Sequence, residues 1–154
     1  MIKKLTLVLL PLIIFTTCKK DENCPDVTTT APASEIVNLK DYLDANSITA
    51  TQDPRGFFYT IAAAGSGDKP TTCSGVTVNY TGKLTNGTTF DDGTNVSFYL
   101  SQLIIGWQEG IPLIAPGGTI TLYLPPSLAY GSSGSGSIPP NANLIFIIDL
   151  KAVY

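Results

Sequence analysis

The chain of 154 residues contains no histidine, and this absence removes a large part of enzyme chemistry. Without an imidazole there is no Ser-His-Asp or Cys-His mechanism and no histidine-based metal site. No pair of carboxylates stands out for acid–base catalysis, and the glycine-rich stretches lack the residue order that phosphate and dinucleotide loops require. The chemistry that remains available is that of aromatic and branched apolar side chains.

Positive charge is also scarce, since nine lysines and arginines stand against twelve acidic residues. Lys3 and Lys4 precede a short apolar run, and all the acidic residues follow that run. The rest of the chain is therefore acidic and has no basic stripe to neutralise phosphates. Nucleic acid is not an expected partner.

A long hydrophobic run is missing as well. The apolar run "LTLVLLPLIIF" has 11 residues, which is fewer than a helix needs to span a bilayer. Two lysines stand before this run, and together they predict an export signal over residues 1–17. The following "FTTCKKDE" resembles a lipoprotein processing site in which Cys18 becomes the lipidated first residue, although Phe15 stands where leucine is more usual. "KKDE" resembles the surface-export tag of lipoproteins in certain Gram-negative bacteria. We expect an exported protein, lipid-anchored to the bacterial outer membrane on its periplasmic or cell-surface side.

The cysteine count fits this interpretation. Three cysteines are an odd number for an exported protein. If Cys18 carries lipid, Cys24 and Cys73 remain as a candidate disulfide in an oxidising compartment. The alternative is two unpaired thiols, and the sequence alone does not give their separation.

Composition and periodicity divide the remaining chain into three parts. Residues 18–34, rich in threonine, alanine and proline, are predicted to be a tether. Residues 35–55 are predicted to form a short helix and a connector, because Ile36, Leu39 and Leu43 follow helical spacing, with Ser34 as the cap. Residues 56–154 form the expected folded domain.

Within that domain the period changes to two, which is typical of strands. Strands are predicted in "FFYTIAA", "VTVNYTGKL", "VSFYL", "TITLYL" and "LIFIIDLKAV", and Asn86-Gly87 indicates a hairpin. "DDGTN" has the wrong spacing for a calcium loop and is interpreted as a turn. Helical spacing returns through Ile104, Trp107 and Ile111, until Pro112 ends the helix. The predicted class is α+β, an antiparallel sheet with one short central helix covering its apolar face.

Several aromatic and branched apolar residues fall at the ends or inner faces of these elements. Any one of them, taken alone, could equally be an ordinary residue of the hydrophobic core. Four segments are more specific: "VTVNYTGKLTNGTTFDDG", "LIIGWQEGI", "PPSLAYG" and "IPPNANLIFIIDL". In order, they resemble the signature segments of the FKBP-type peptidyl-prolyl isomerases, over about a hundred residues from Gly56 to Tyr154. The resemblance implies a bent antiparallel sheet wrapped around one short helix. It also implies isomerase activity on proline-containing polypeptides without cofactor or metal, a monomer, and macrolide inhibitors of the FKBP type as ligands.

The resemblance also assigns site residues. It makes Trp107 the floor of a proline pocket, Asp91 the carboxylate behind the twisted amide, Tyr130 a hydroxyl donor and the Ile104 amide a donor to a substrate carbonyl. Val96 stands where a phenylalanine often lines the wall, and the arginine that usually pairs with the aspartate has no counterpart. The glycine- and serine-rich loop after Tyr130 corresponds to one that overhangs the pocket. The full candidate set is Tyr80, Phe90, Asp91, Val96, Leu103, Ile104, Trp107, Tyr130, Ile138 and Phe146.

The leading hypothesis is therefore a peptidyl-prolyl isomerase acting on Xaa-Pro bonds of exported or surface proteins. Its apolar pocket would stabilise the twisted amide. The alternative is a non-catalytic proline-peptide binding or chaperone module tethered to the membrane. If the chain were a purely structural surface lipoprotein, the aromatic residues of the candidate set would have no function.

Overall fold

The computed structural model describes Cys24 and residues 27–154. The predicted export signal, Cys18 and the first part of the tether lie outside the described residues. In chain order the elements are α1 (Ala33–Ala45), β1 (Thr51–Gln52), β2 (Phe58–Ala63), β3 (Gly75–Leu84), β4 (Thr89–Tyr99), α2 (Ile105–Gly110), β5 (Thr119–Leu124) and β6 (Leu144–Val153). Single 3₁₀ turns cover Leu100–Gln102, Ile111–Leu113 and Pro126–Leu128. Among the helices of this described part, none is long and apolar enough to cross a membrane.

The six strands form one antiparallel sheet in the order β1-β2-β5-β6-β3-β4. One face of this sheet packs on α2, and the α+β prediction is confirmed. The approach of α2 to β5 is close: a Cβ atom on Gly106 would lie 2.4 Å from Leu124 Cδ1, and one on Gly110 would lie 2.5 Å from Leu122 Cδ1. Only glycine leaves room for this contact, so these two residues set the depth at which Trp107 enters the core.

The predicted strands are confirmed, but the turn predicted for "DDGTN" is wrong. These residues lie inside β4, where the register with β3 shifts between the pairs Val78–Val96 and Tyr80–Gly93. Asn95 adopts a φ of 53°, and its N–H donates to Asn79 Oδ1 at 2.8 Å. A bulge therefore absorbs the extra residue, and the asparagine side chain opposite it satisfies the freed backbone group.

Helix α1 covers part of the outer face of the sheet. Leu39 and Leu43 are buried against Phe58 of β2 and Tyr123 of β5, as the helical spacing predicts. The predicted cap is wrong, because Pro32 occupies the N-cap position and Ser34 is already the second helical residue. Proline suits this boundary because its φ is fixed and it has no N–H to satisfy.

An ion-pair network joins the connector before β2 to the end of α2. Arg55 donates from Nε to Asp53 Oδ1 at 2.9 Å and from Nη2 to Asp53 Oδ2 at 3.2 Å. Its Nη1 pairs with Glu109 of α2. The side chains of Asp53 and Glu109 are only 7% and 11% exposed, so this network links two segments through nearly buried charges.

We call the segment from Cys24 to Pro32 the N-terminal arm, and a covalent bond also joins it to the domain. Cys24 and Cys73 form a disulfide with a Cα–Cα distance of 5.6 Å across a sequence separation of 49 residues. Cys73 lies two residues before β3, so the bond holds the beginning of the arm at the start of that strand.

Candidate functional site

An open cavity of about 140 Å³ lies between β3, β4, β6, α2 and the segment that follows β5. Eight side chains line it: Tyr80, Asp91, Phe98, Leu103, Ile104, Trp107, Tyr130 and Phe146. Seven of the ten residues predicted from the sequence are among them. Asp91 is the only lining residue that carries a charge, so the cavity offers an apolar surface with polar groups at one side.

Trp107 is held in place by other aromatic rings. Its ring centroid lies 5.2 Å from that of Tyr80, 5.3 Å from that of Phe146 and 6.0 Å from that of Phe98, and all three contacts are edge-to-face. Such contacts stabilise each aromatic pair by about 0.5–1.5 kcal/mol beyond the burial of area. The indole is 4% exposed, and its Nε1 has no hydrogen-bond partner among the described residues. Ring packing therefore fixes the orientation of Trp107.

The polar side of the cavity is a hydrogen bond between Tyr80 and Asp91. The Tyr80 hydroxyl donates to Asp91 Oδ2 at 2.9 Å. Burial, followed by this hydrogen bond, raises the pKa of Tyr80 to about 12. Burial, with a smaller effect of the Asp91 charge, also raises the pKa of Tyr130. Both phenols therefore remain protonated at neutral pH. The partner of Asp91 is the Tyr80 hydroxyl, in place of the arginine that the resemblance led us to look for.

The rim of the cavity precedes α2. Ile104 has extended backbone angles, and its carbonyl accepts hydrogen bonds from Trp107 N at 2.9 Å and Gln108 N at 3.2 Å. The Gln108 side chain turns back to donate from Nε2 to the Leu103 carbonyl at 2.7 Å. The first turn of α2 thus fixes Leu103 and Ile104 beside Trp107, as the sequence predicts.

Three predicted residues do not line the cavity. Phe90 lies behind it, with its ring 5.5 Å from that of Phe146. Val96 pairs with Val78, and its Cγ2 lies 2.7 Å from where a Cβ on Gly93 would be, so it fills the β4 bulge. Ile138 is 8% exposed and belongs to the main core.

The glycine- and serine-rich loop explains the position of Ile138. Ser135 and Ile138 exchange two backbone hydrogen bonds of 3.0 and 2.8 Å, which closes a tight turn. Gly134, directly before this turn, has a φ of 65°, and a Cβ there would lie 2.3 Å from the Ile138 carbonyl oxygen. The turn directs Ile138 inwards, whereas Tyr130 at the other end of the loop lines the cavity.

Phe98 is the lining residue that the sequence interpretation missed. It lies two residues after Val96 on the same strand, and alternate residues of a strand share a face. On β4, Phe98 and not Val96 is the side chain that lines the cavity beside Trp107. Period-two spacing along "VSFYL" was the signal that could have identified it.

The described residues contain no cluster of three histidine, cysteine or acidic side chains that could hold a metal ion. The candidate site is thus an aromatic pocket with two phenols and one carboxylate. Its shape and chemistry suit a small apolar ring with a polar bond beside it.

Comparisons with known proteins agree with this geometry. The sequence model described as FKBP-type peptidyl-prolyl cis-trans isomerase matches residues 67–151. FkpA of Aeromonas hydrophila is 41% identical over 122 residues, which are 74% of this chain and 45% of that protein. The crystal structure of FkpA from Escherichia coli has a TM-score of 0.71 and 37% identity, covering 79% of this chain and 60% of that one.

A second solved structure is a peptidyl-prolyl cis-trans isomerase from Pseudomonas syringae pv. tomato. It has a TM-score of 0.69 and 30% identity, and the match covers 81% of this chain and 98% of that one. The chain spans about half the length of the curated relatives that it matches. From the matched segment and the shared fold, the chain belongs to the family of FKBP-type peptidyl-prolyl cis-trans isomerases.

Proposed function

We propose that this chain is a peptidyl-prolyl cis-trans isomerase acting on Xaa-Pro bonds of exported or surface proteins. The observation that carries the proposal is the cavity itself, in which Trp107 is held edge-on by three aromatic rings beside the Tyr80–Asp91 hydrogen bond. An apolar surface of this kind accepts a proline ring. The polar pair lies at one side, where the preceding amide would lie.

The reaction needs no nucleophile and no base. The barrier of about 18–20 kcal/mol to rotation arises from the loss of amide conjugation. The twisted amide is less charge-separated than either planar isomer, so a pocket that removes water from the planar amide while fitting the twisted one lowers the barrier. Each tenfold gain in rate needs only about 1.4 kcal/mol, which a few contacts supply.

The lining residues then take distinct roles. The proline ring rests on Trp107, and the Ile104 amide donates to a substrate carbonyl. Tyr130, protonated at neutral pH, donates its hydroxyl. Asp91 lies behind the twisted amide, and its hydrogen bond from Tyr80 holds the carboxylate in place. Macrolide inhibitors of the FKBP type are expected to occupy the same cavity.

The proposal includes the place of action. Cys18 is lipidated, and the domain acts as a monomer tethered to the outer membrane on the periplasmic or the cell-surface side. The support is the short apolar run followed by "FTTCKKDE". Labelling cells with a fatty-acid analogue should tag the protein, and Cys18→Ser should abolish the tag. A Cys18→Ser protein that still carries the label would contradict lipidation at this residue.

A protease-free isomerisation assay on a series of Xaa-Pro peptides tests the activity. Asp91→Asn and Tyr130→Phe are nearly isosteric, and each should lower kcat/KM by about one factor of ten through loss of one polar contact. Tyr99→Phe, outside the cavity, is the matched control and should change nothing. If the protein binds proline peptides but does not accelerate their isomerisation, it is a binding module. If both cavity variants keep the full rate, the assigned roles are wrong.

A further inference from the structure

One end of the sheet exposes a pair of tyrosines. Gly75 pairs with Tyr99 across β3 and β4, and it exchanges two backbone hydrogen bonds of 2.8 and 2.9 Å with Tyr154. The rings of Tyr99 and Tyr154 meet edge-to-face at 6.0 Å and are 54% and 60% exposed. We call this end, defined by Cys73, Gly75, Tyr99 and Tyr154, the strand base. It is an aromatic surface that the described residues leave uncovered.

The disulfide brings the N-terminal arm to the same place. Cys73 lies two residues before Gly75 and is bonded to Cys24. Six residues of sequence lead from Cys18 to Cys24, and fully extended they reach about 20 Å at most. The chain that leads to the proposed lipid therefore leaves the domain from the strand base on a short connection.

Without that bond the arm would leave from the opposite end. Its next attachment is Ala31, whose N–H donates to the Arg55 carbonyl at 2.8 Å. Thirteen residues from Cys18 to Ala31 would allow a reach of about 45 Å. The first turn of α1 follows, and there Ser127 N donates to Glu35 Oε2 at 2.9 Å. This contact lies at the end of the sheet where β3 and β5 end and β6 begins, which we call the loop end. The disulfide thus decides which end of the domain is nearer the lipid.

We propose that the strand base faces the headgroup region of the bilayer, with Tyr99 and Tyr154 as its contacts with lipid. The proposal rests on the proposed lipidation of Cys18. Tyrosine suits this position because its ring is apolar and its hydroxyl is polar, which favours the boundary between acyl chains and water. The neighbouring residues Thr71, Thr72, Ser74, Ser101 and Gln102 are uncharged. The nearest charged side chain on β6 is that of Lys151, three residues before Tyr154, and it pairs with Asp149.

This orientation places the polar side of the cavity away from the membrane. Asp91 is opposite Gly82, which is seven residues along β3 from Gly75. At about 3.3 Å per residue, the backbone of Asp91 lies about 23 Å along the strands from Gly75. The polar side of the cavity would therefore lie in the aqueous phase, whereas Phe98, which also lines the cavity, is next to Tyr99 and lies nearer the headgroups.

The test uses the full lipidated chain in vesicles whose phospholipids carry brominated acyl chains, which quench nearby tryptophan emission. Tyr99→Trp and Tyr154→Trp each add a tryptophan at the strand base. Thr88→Trp, in the exposed turn between β3 and β4, adds one at the loop end as the matched control. Trp107 is 4% exposed and supplies a constant background in all variants. Mass spectrometry verifies the lipid on each sample.

We expect brominated lipid to quench the emission added by Tyr99→Trp and Tyr154→Trp, and to leave the emission of Thr88→Trp unchanged. The additional double substitution Cys24→Ser, Cys73→Ser should remove the quenching at Tyr99→Trp while the lipid stays attached. Equal or stronger quenching of Thr88→Trp, or no quenching in any lipidated variant, would overturn the orientation.

Two further results would also overturn the orientation. Absence of lipid in the mass spectrum would refute the anchor itself, and with it the proposed orientation, while leaving the isomerisation assay to stand on its own. A concentration-dependent dimer in detergent that Tyr99→Ser abolishes would show that a second copy of the chain covers the strand base, and the bilayer contact would be wrong.

Discussion

Replacing Arg55 by methionine should destabilise the domain far more than removing a surface lysine. Methionine keeps the length of the side chain but leaves Asp53 and Glu109, which are 7% and 11% exposed, without their cation. Breaking a buried ion pair by removing one partner costs about 3–5 kcal/mol. Because the Arg55 side chain is 32% exposed, water replaces part of the lost contact, and we expect about 2–3 kcal/mol.

Urea unfolding followed by the emission of Trp107, the only tryptophan in the chain, measures this loss. With a slope of about 2 kcal/mol/M, the midpoint should fall by about 1–1.5 M for Arg55→Met. Lys40→Met is the matched control, since it breaks the Lys40–Asp44 pair, whose side chains are 56% and 61% exposed. Exposed pairs of this spacing contribute about 0.3–0.5 kcal/mol, so the control midpoint should fall by about 0.2 M.

The reasoning is refuted if both variants shift the midpoint equally. A double variant sharpens the test. Glu109→Gln should be less harmful in the Arg55→Met background than in the native protein, because it removes a carboxylate that has already lost its partner. Strictly additive effects would show that the two side chains do not interact, despite their contact in the structure.

Three other perturbations follow from the structure. The pKa of Tyr80 is about 12 in the folded protein and 10 ordinarily. The free energy of unfolding should therefore fall between about pH 10 and pH 12, because unfolding releases the proton of Tyr80 in this range. Urea midpoints measured across this range should fall less steeply for Tyr80→Phe than for the native protein. Cys24→Ser should lower the free energy of unfolding by about 4 kcal/mol, and an unchanged urea midpoint would contradict the chain-entropy argument. Gly106→Ala should cost about 1–3 kcal/mol by overpacking against buried Leu124; a calorimetric Tm equal to the native value would refute that close contact.

Much of the sheet can be predicted from the sequence because one rule governs it. Strands with one buried face alternate, and β6 does so from Leu144 to Lys151, while β3 buries Val76, Val78 and Gly82 on one face. The hairpin follows from Asn86-Gly87, where Gly87 adopts a φ of 88° and the Asn86 side chain accepts from Thr88 N at 2.9 Å. Each of these signals is local, so the sequence carries it without knowledge of the fold.

The features that the sequence interpretation misses depend on contacts between distant segments. "DDGTN" has the composition of a turn, but it stays in β4 because Asn79 on the neighbouring strand accepts the N–H of Asn95. Likewise Phe98, and not the predicted Val96, lies beside Trp107 because of the register shift at that bulge. Composition does not reveal such a shift, because it results from pairing with the other strand.

The central position of β6 has a consequence for how this domain is made. β6 lies between β5 and β3 and pairs with both, yet it follows every other strand in the chain. Until β6 has been synthesised, the β1-β2-β5 segment and the β3–β4 hairpin share no neighbour and each leaves an apolar face exposed. Sheets that depend on such distant pairings form slowly. A growing chain therefore remains without its completed sheet until the last strand has emerged.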